Sequence, residues 1–169
     1  MGPNGIHGTH ETDETGQRPP FPGEDMPMGR TKARLIVRNA SDVEKAADGA
    51  LPQPEVRAVE IDAIVDTGAA YVCLPRAEIE KLGLRFVQNA PVRTANGRAV
   101  RRIFGSAEIQ LLGRTAHMDV MENDEDTPPL LGCVLLELLD LIVDPKAGQI
   151  TPNPEHDGKW VVDCYLAAQ

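Results

Sequence analysis

The stretch AIVDTGAAYVCLP occupies residues 63–75 and places one acidic side chain between two apolar runs. Three apolar residues lead directly into Asp66-Thr67-Gly68, and a second apolar run follows close behind. A carboxylate between stretches that read as buried is costly unless a partner satisfies it, and the next basic residue along the chain is Arg76. Asp66 therefore either caps a turn at the surface or owes its position to function.

Length, composition and charge narrow the classes of function. The 169 residues suit one domain with a substantial core, and aromatic residues make up only 4%, so the core is expected to be aliphatic. A net charge of −9 argues against nucleic acid or an anionic membrane as the main partner. No apolar run reaches the roughly 20 residues of a membrane span, and no secretory signal pattern opens the chain. The expected location is the cytoplasm.

The chain divides into a tail and a domain. Residues 1–30 are rich in Gly, Pro and acidic residues and contain almost no β-branched aliphatic residue, so this segment is predicted to be disordered. Residues 31–169 are predicted to form one folded domain.

The sequence gives little support for a metal site or for a reactive cysteine. His7 and His10 stand in the predicted tail without four-ligand spacing, so a solvated tail is favoured over a metal site. An odd number of cysteines without a C-x-x-C pair favours free, buried thiols, and these cysteines are Cys73, Cys133 and Cys164. No cofactor and no metal are expected.

The first half of the domain shows strand patterns around one helix. Residues 33–39 and 57–65 are rich in β-forming residues, the second alternating apolar with acidic positions, and a polar connector is predicted over residues 41–56. Residues 75–84 are predicted to form a short helix with Gly83 at its C-terminal cap.

The second half adds a hairpin and further strands. Asn96-Gly97 between two β-compatible arms is the strongest short hairpin signal, because both turn positions need positive φ. Strands over residues 107–112 and 116–121 precede an acidic loop, predicted to be a solvated connector rather than a calcium site. A helix of about ten residues is expected within residues 130–145, since Leu135, Leu138, Leu139 and Ile142 recur at helical spacing. A strand over residues 159–166 completes a mainly-β domain with one or two short helices.

Three interpretations of Asp66 compete. In the first, Asp66-Thr67-Gly68 is only a turn. In the second, Asp66 accepts a phosphoryl group, but the second carboxylate expected two residues on is replaced by Gly68, and no βαβ rhythm is present. In the third, Asp66 is half of a catalytic pair, in which two carboxylates about 3 Å apart share one proton and hydrolyse a peptide bond through an activated water.

A catalytic pair requires a second aspartate, and the chain contains no second D-[ST]-G triplet. The nearest approach, DETG at residues 13–16, has Glu14 in place of the aspartate and lies in the predicted tail. A chain with one such loop can complete the pair only across a two-fold axis, where each Asp66 meets its own copy.

The chain resembles the retropepsin-like aspartic proteases, specifically the small bacterial single-lobe type related to retroviral proteases. The resemblance rests on the Asp66-Thr67-Gly68-Ala69 loop between apolar runs, on Leu130-Leu131-Gly132 followed by a helix, and on a hairpin between these motifs. It covers about residues 32–167 and implies a closed β-barrel-like lobe that is active as a two-fold dimer. It therefore implies an aspartic endopeptidase that acts on peptides or unfolded proteins as a homodimer, without a nucleic-acid or membrane partner.

The resemblance also implies roles for individual residues. Asp66 would be the catalytic carboxylate, Thr67 would hydrogen-bond across the dimer axis, and Gly68 would allow the loop to turn. The substrate would contact the loop and the hairpin tip, which closes over it as a flap, through Ala69, Ala70, Thr94, Ala95, Asn96, Gly97, Arg98 and Ala99. The segment 159–166 would pair between subunits.

One position departs from the family pattern. Ala70 stands where many relatives carry Ser, Thr or Asp, so a hydrogen bond near the loop or the substrate is lost. This departure keeps a second hypothesis open, a catalytically weak or inactive module of the same fold that dimerises and binds peptide. A third hypothesis is a monomeric β-domain in which the triplet is only a turn.

Overall fold

The computed structural model describes residues 31–94 and 97–162. The predicted tail, Ala95 and Asn96 of the predicted hairpin tip, and residues 163–169 with Cys164 lie outside the described residues. In the two described ranges, no helix has the length and apolar character needed to cross a membrane.

The first two strands form where the sequence predicts them. Strand β1 (Lys32–Asn39) pairs antiparallel with β2 (Ala58–Val65), with Leu35 opposite Ile61. Alternate side chains of β1 point into the core, so Leu35 and Val37 are fully buried.

The predicted polar connector between these strands is wrong in one respect, because it contains a helix. Helix α1 (Ala40–Ala47) begins at Asn39, whose side-chain oxygen accepts a hydrogen bond from the backbone N–H of Asp42. A short 3₁₀ turn (Gln53–Glu55) leads from the helix toward β2. An N-cap asparagine with Gly49 after the last turn is a helix signal that the polar composition concealed.

The next elements follow the prediction closely. After β3 (Cys73–Leu74), helix α2 (Arg76–Leu82) ends at Gly83, which has a left-handed backbone with φ of 59°. The left-handed backbone requires glycine here, and a β-carbon would also displace the guanidinium of Arg57, which lies 1.7 Å from its position.

A long hairpin forms the middle of the chain. Strand β4 (Arg85–Thr94) pairs with β5 (Gly97–Leu111), and β5 pairs with β6 (Arg114–Glu122). The pairing of β4 with β5 starts at Thr94 opposite Gly97. The hairpin is therefore confirmed. Gly97, however, is already a paired strand residue, so the prediction that Asn96 and Gly97 are the two turn residues is wrong for Gly97.

The C-terminal part departs most from the prediction. Strand β7 (Leu130–Leu131) leads into helix α3 (Cys133–Leu138), which is six residues long rather than about ten. Two short strands follow, β8 (Leu141–Asp144) and β9 (Gln149–Pro152), and then a 3₁₀ turn (Pro154–His156).

The helix ends early because Asp140 adopts a left-handed backbone with φ of 51°. Its buried carboxylate accepts hydrogen bonds from the ring of His156 and from the backbone N–H of Val161, which stabilise this conformation. Residues 159–162 form no strand, so the predicted terminal strand is wrong over its described part, and residues 163–166 lie outside the described residues.

The strands close into a barrel. They follow the order β1-β2-β7-β3-β6-β5, β1 also pairs with β5, and β4 extends the sheet beyond β5. The mainly-β, barrel-like prediction is confirmed, with three short α-helices in the described residues rather than one or two. The core is aliphatic, and its fully buried side chains include Leu74, Leu82, Ile109, Val120, Leu131 and Leu135.

We predict that Asp42→Asn destabilises the fold near neutral pH and that its effect fades in acid. Arg57 donates two side-chain hydrogen bonds to the buried Asp42 carboxylate, at 2.6 and 2.8 Å, and these bonds lower the pKa of that carboxyl from 3.8 to about 2. Losing this charge-assisted contact is expected to reduce the free energy of unfolding by about 2 kcal/mol.

A depressed folded-state pKa stabilises the protein above the unfolded value and is lost as pH falls through the folded one. The difference between wild type and Asp42→Asn should therefore shrink between pH 4 and pH 2, as measured by denaturant unfolding at each pH. A difference that stays constant over that interval would contradict the assignment.

Candidate active site

The D-T-G triplet is a tight turn at the end of β2. The backbone N–H of Asp66 donates to the carbonyl of Leu131 at 3.0 Å, which continues the parallel pairing of β2 with β7. The N–H of Gly68 donates to Asp66 Oδ1 at 2.9 Å, and the N–H of Ala69 donates to the Asp66 carbonyl at 3.0 Å. The backbone bonds fix the turn, and the bond from the Gly68 N–H orients the carboxylate of Asp66.

Gly132 lies directly beneath the turn. The N–H of Cys133 donates to the Ala69 carbonyl at 2.8 Å, and the N–H of Val134 donates to the Ala70 carbonyl at 3.3 Å. A β-carbon on Gly132 would stand 2.4 Å from the carbonyl oxygen of Tyr71 and 2.6 Å from Ala70 backbone atoms. The Leu-Leu-Gly motif therefore packs against the loop through backbone alone, which only glycine allows.

The acidic side chain is exposed in the single chain. Asp66, Thr67, Gly68 and Ala70 are all exposed, and Ala69 is half-buried. Asp66 forms no ion pair with any described residue. The apolar residues on either side of Asp66 suggest that its carboxylate is buried, but in one chain it is not. Those residues enter the barrel core, whereas the turn itself projects out of it.

A groove of about 520 Å³ joins this turn to the hairpin. Of the site residues predicted from the sequence, it is lined by Asp66, Gly68, Ala69, Ala70 and Thr94. The predicted residues Thr67, Gly97, Arg98 and Ala99 are described but do not line it. Ala95 and Asn96 lie outside the described residues.

Other groove residues come from elements that sequence reasoning did not connect with the loop. They are Tyr71, Cys73, Val92, Arg93, Arg101, Met121, Glu122, Asn123 and Leu130. Strand pairing brings most of them together, since Cys73 is opposite both Met121 and Leu130. No local sequence pattern predicts such contacts. Arg101 is the exception, because it is the one charged residue on the strand face that it shares with Ala99 and Ile103.

Cys73 illustrates the electrostatics of the groove floor. Burial, together with the nearby negative charge of Asp66, raises the pKa of its thiol to about 11, and the positive charge of Arg101 partly opposes both. The thiol is therefore protonated near neutral pH and is a poor nucleophile. The prediction of a free, buried Cys73 is confirmed, and Cys133 is free and half-buried.

Two ion pairs tie the hairpin stem to the acidic loop at one end of the groove. Arg101 donates from Nη1 and Nη2 to the two carboxylate oxygens of Asp124. Arg102 binds Glu122, with Nη2 donating to Oε1 at 2.6 Å. Arg102 also lies over the ring of Phe104, 5.5 Å from its centre. The acidic segment is thus an exposed loop, as predicted, whose first part is anchored to β5.

The described part of the chain offers no metal site. Across residues 31–94 and 97–162, no group of three or more His, Cys, Asp or Glu side chains is arranged to hold a metal ion. His7 and His10 lie outside the described residues.

Comparison with known proteins gives a family and similar solved structures. The family model described as gag-polyprotein putative aspartyl protease matches residues 53–137, a range that contains the Asp66 turn, the hairpin and Gly132. The solved structure of EIAV protease complexed with the inhibitor HBY-793 is similar at 15% sequence identity with a TM-score of 0.47, over 70% of this chain and 92% of that chain. No curated protein matches the chain.

We predict that Gly132→Ala destabilises the fold strongly, because its new methyl group would overlap backbone atoms of residues 70 and 71 that cannot turn aside. The expected loss is about 3 kcal/mol in the free energy of unfolding, the upper end of the usual cost of overpacking.

Gly113→Ala provides the control. It has a left-handed φ of 77° but nothing within 4 Å of the added carbon, so only backbone strain of about 1 kcal/mol is expected. Equal losses in denaturant unfolding of the two variants would show that Gly132 is not under the packing constraint described.

Proposed function

Because the chain belongs to the gag-polyprotein putative aspartyl protease family, we propose that it is an aspartic endopeptidase with Asp66 as its catalytic carboxylate. One chain contributes one Asp66 turn, so the catalytic pair is completed by a second copy in a homodimer. The proposed substrate is a peptide or an unfolded protein segment.

The observation that carries this proposal is an exposed aspartate that lies at one end of a groove, forms no ion pair with a described residue and has its carboxylate oriented by a backbone hydrogen bond. The Gly68 N–H orients the Asp66 carboxylate, and the loop below is fixed by Gly132. A turn that served only to connect β2 with β3 would not need a fixed, exposed carboxylate facing a groove of about 520 Å³. Fixed orientation is what a general acid or base requires.

The proposed reaction uses a proton shared by the two aspartates. One carboxylate takes a proton from a water molecule, whose oxygen attacks the peptide carbonyl carbon, while the other gives its proton to the carbonyl oxygen. When the tetrahedral intermediate collapses, the C–N bond breaks and the carboxyl that took the water proton gives it to the leaving amine nitrogen. The other carboxylate takes a proton from a hydroxyl group of the intermediate, which restores the C=O bond and the shared proton. Two carboxylates about 3 Å apart cannot both ionise, so the working form carries one proton and is expected under mildly acidic conditions.

The remaining loop residues would support this chemistry. Thr67 is exposed beside Asp66 and is proposed to hydrogen-bond the partner loop. Ala69 and Ala70 would form the floor under an extended peptide, and Thr94 would contact it from the hairpin side. Closure of the hairpin tip would exclude water from the reacting bond.

A second candidate function is a peptide-binding dimer with little or no cleavage. The observation that favours it is Ala70, which is exposed on the groove and offers no side-chain hydrogen bond where many relatives have a polar residue. Both functions use the same assembly and differ only in whether the bound peptide is cut.

We predict that Asp66→Asn abolishes cleavage of an unfolded protein at pH 4–6, because an amide can neither accept the water proton nor share one. The expected loss is at least about a hundredfold in rate, typical of removing a general acid or base. Product fragments should be followed by mass spectrometry.

Asp62→Asn is the matched control, since Asp62 is an exposed aspartate on β2, the strand that leads into Asp66, and it is paired with Arg34 at 3.1 Å and lies outside the groove lining. It should cleave at the wild-type rate. Absence of cleavage by wild type would leave the peptide-binding function, and equal cleavage by Asp66→Asn would mean that the activity comes from elsewhere.

A further inference from the structure

The β4–β5 hairpin is basic in an otherwise acidic chain. Residues 85–104 contain no aspartate or glutamate, whereas the whole chain has a net charge of −9. The same residues contain five arginines, which are Arg85, Arg93, Arg98, Arg101 and Arg102. A local excess of one charge beside a groove attracts ligands of the opposite charge.

Two of these arginines are already neutralised within the chain. Arg101 binds Asp124, and Arg102 binds Glu122. The other three form no ion pair with any described residue, and they are Arg85, Arg93 and Arg98. The positive charge that is not neutralised therefore lies on β4 and at the start of β5.

Arg93 and Arg98 lie directly opposite each other near the end of the hairpin. They are partners in the antiparallel register, next to the pair of Thr94 and Gly97, and both arginines are exposed. Opposite residues point to the same face of a sheet with their β-carbons about 5 Å apart, and like charges in this position are destabilising. A carboxylate bound by the two guanidinium groups would remove this repulsion.

Arg93 also lines the groove that contains Asp66. Among the described residues β4 has only β5 as a strand partner, so its other edge is open. Val92, Arg93 and Thr94 all line the groove although successive side chains point to opposite faces, which means that the groove runs along this open edge. An extended peptide in the groove would therefore place a side chain within reach of the arginine pair.

A carboxylate is the ligand that suits this pair. A guanidinium group is planar and can donate two parallel hydrogen bonds to a carboxylate, as Arg101 does to Asp124 on the same hairpin. The negative charge of Glu122, another lining residue, is taken up by Arg102. The hairpin side of the groove is thus left positive, and it would repel a lysine or arginine side chain of a peptide.

We propose that Arg93 and Arg98 form a carboxylate-binding subsite, through which the protein selects peptides with a glutamate or an aspartate at the position that faces the hairpin. This inference rests on the proposed function, because the ligand is the peptide that occupies the groove. It narrows the substrate class to acidic peptide segments. The subsite also adds a polar contact to the peptide that Ala70 does not supply.

The test measures peptide binding by the full-length Asp66→Asn protein, in which the peptide stays intact. The probe is an uncharged, fluorescein-labelled peptide in which a single glutamate is placed at each position in turn, and each version has a matched peptide with glutamine. At one position we expect glutamate to lower the dissociation constant at least about tenfold relative to glutamine, as measured by fluorescence anisotropy. The preference should shrink at about 1 M salt, because the arginine pair is exposed.

Arg93→Gln and Arg98→Gln, each made in the same protein, should lose most of this preference. Both positions are exposed, so both variants should fold. Arg85→Gln is the matched control, since Arg85 is an exposed arginine on β4, opposite Gly105 and outside the groove lining. It removes the same charge and should keep the tenfold preference.

Equal binding of the glutamate and glutamine peptides at every position would overturn the subsite, and so would the absence of binding by every peptide. An equal loss in Arg85→Gln would overturn it too, because net charge alone would then explain the attraction. Cleavage of an unfolded protein by wild type is measured separately. Cleavage without a preference for acidic peptides would remove the subsite and leave the protease function, whereas glutamate-selective binding without cleavage would support the subsite and leave only the peptide-binding function.

Discussion

The close approach of Gly132 to the backbone of residues 69–71 is the constraint on which the rest of the site depends. β7 is inserted between β2 and β3, and the turn carrying Asp66 must pass around its end. Because Gly132 has no side chain, the loop can rest on it and receive the N–H groups of Cys133 and Val134. The carboxylate is thereby fixed relative to the barrel without any contact from its own side chain to the core.

The same arrangement explains why one chain does not form a complete site. The turn projects from the barrel, so the apolar runs on either side are buried while Asp66 is exposed to solvent. Desolvation and a second carboxylate, the two conditions for a shared proton, both require another surface over the loop.

Patterns that depend on neighbouring residues could be predicted from the sequence. The alternation in β2, the Gly83 cap of α2 and the two arms of the hairpin follow from local geometry and are observed. Helix α1 was missed because its residues are polar, although Asn39 at its start caps it. Helix α3 was predicted too long because Leu139 and Ile142 keep the helical spacing, whereas contacts of Asp140 with distant residues impose a left-handed turn.

The site likewise contains residues that could be recognised from local sequence and residues that could not. Asp66, Gly68 and Gly132 could be recognised because a tight turn and a close backbone approach restrict which residues are possible. Cys73, Met121 and Leu130 could not, because only strand pairing between distant segments brings them to the groove. Residues 159–162 of the predicted terminal strand have no strand partner among the described residues, and an alternating pattern cannot tell whether such a partner exists.

The central claim is that two Asp66 loops meet at a two-fold axis. A crystal structure of the assembled protein tests it most directly, through the separation of the two Asp66 carboxylates. The account predicts carboxylate oxygens about 3 Å apart, close enough to share one proton. A dimer in which the two loops face away from each other would contradict it.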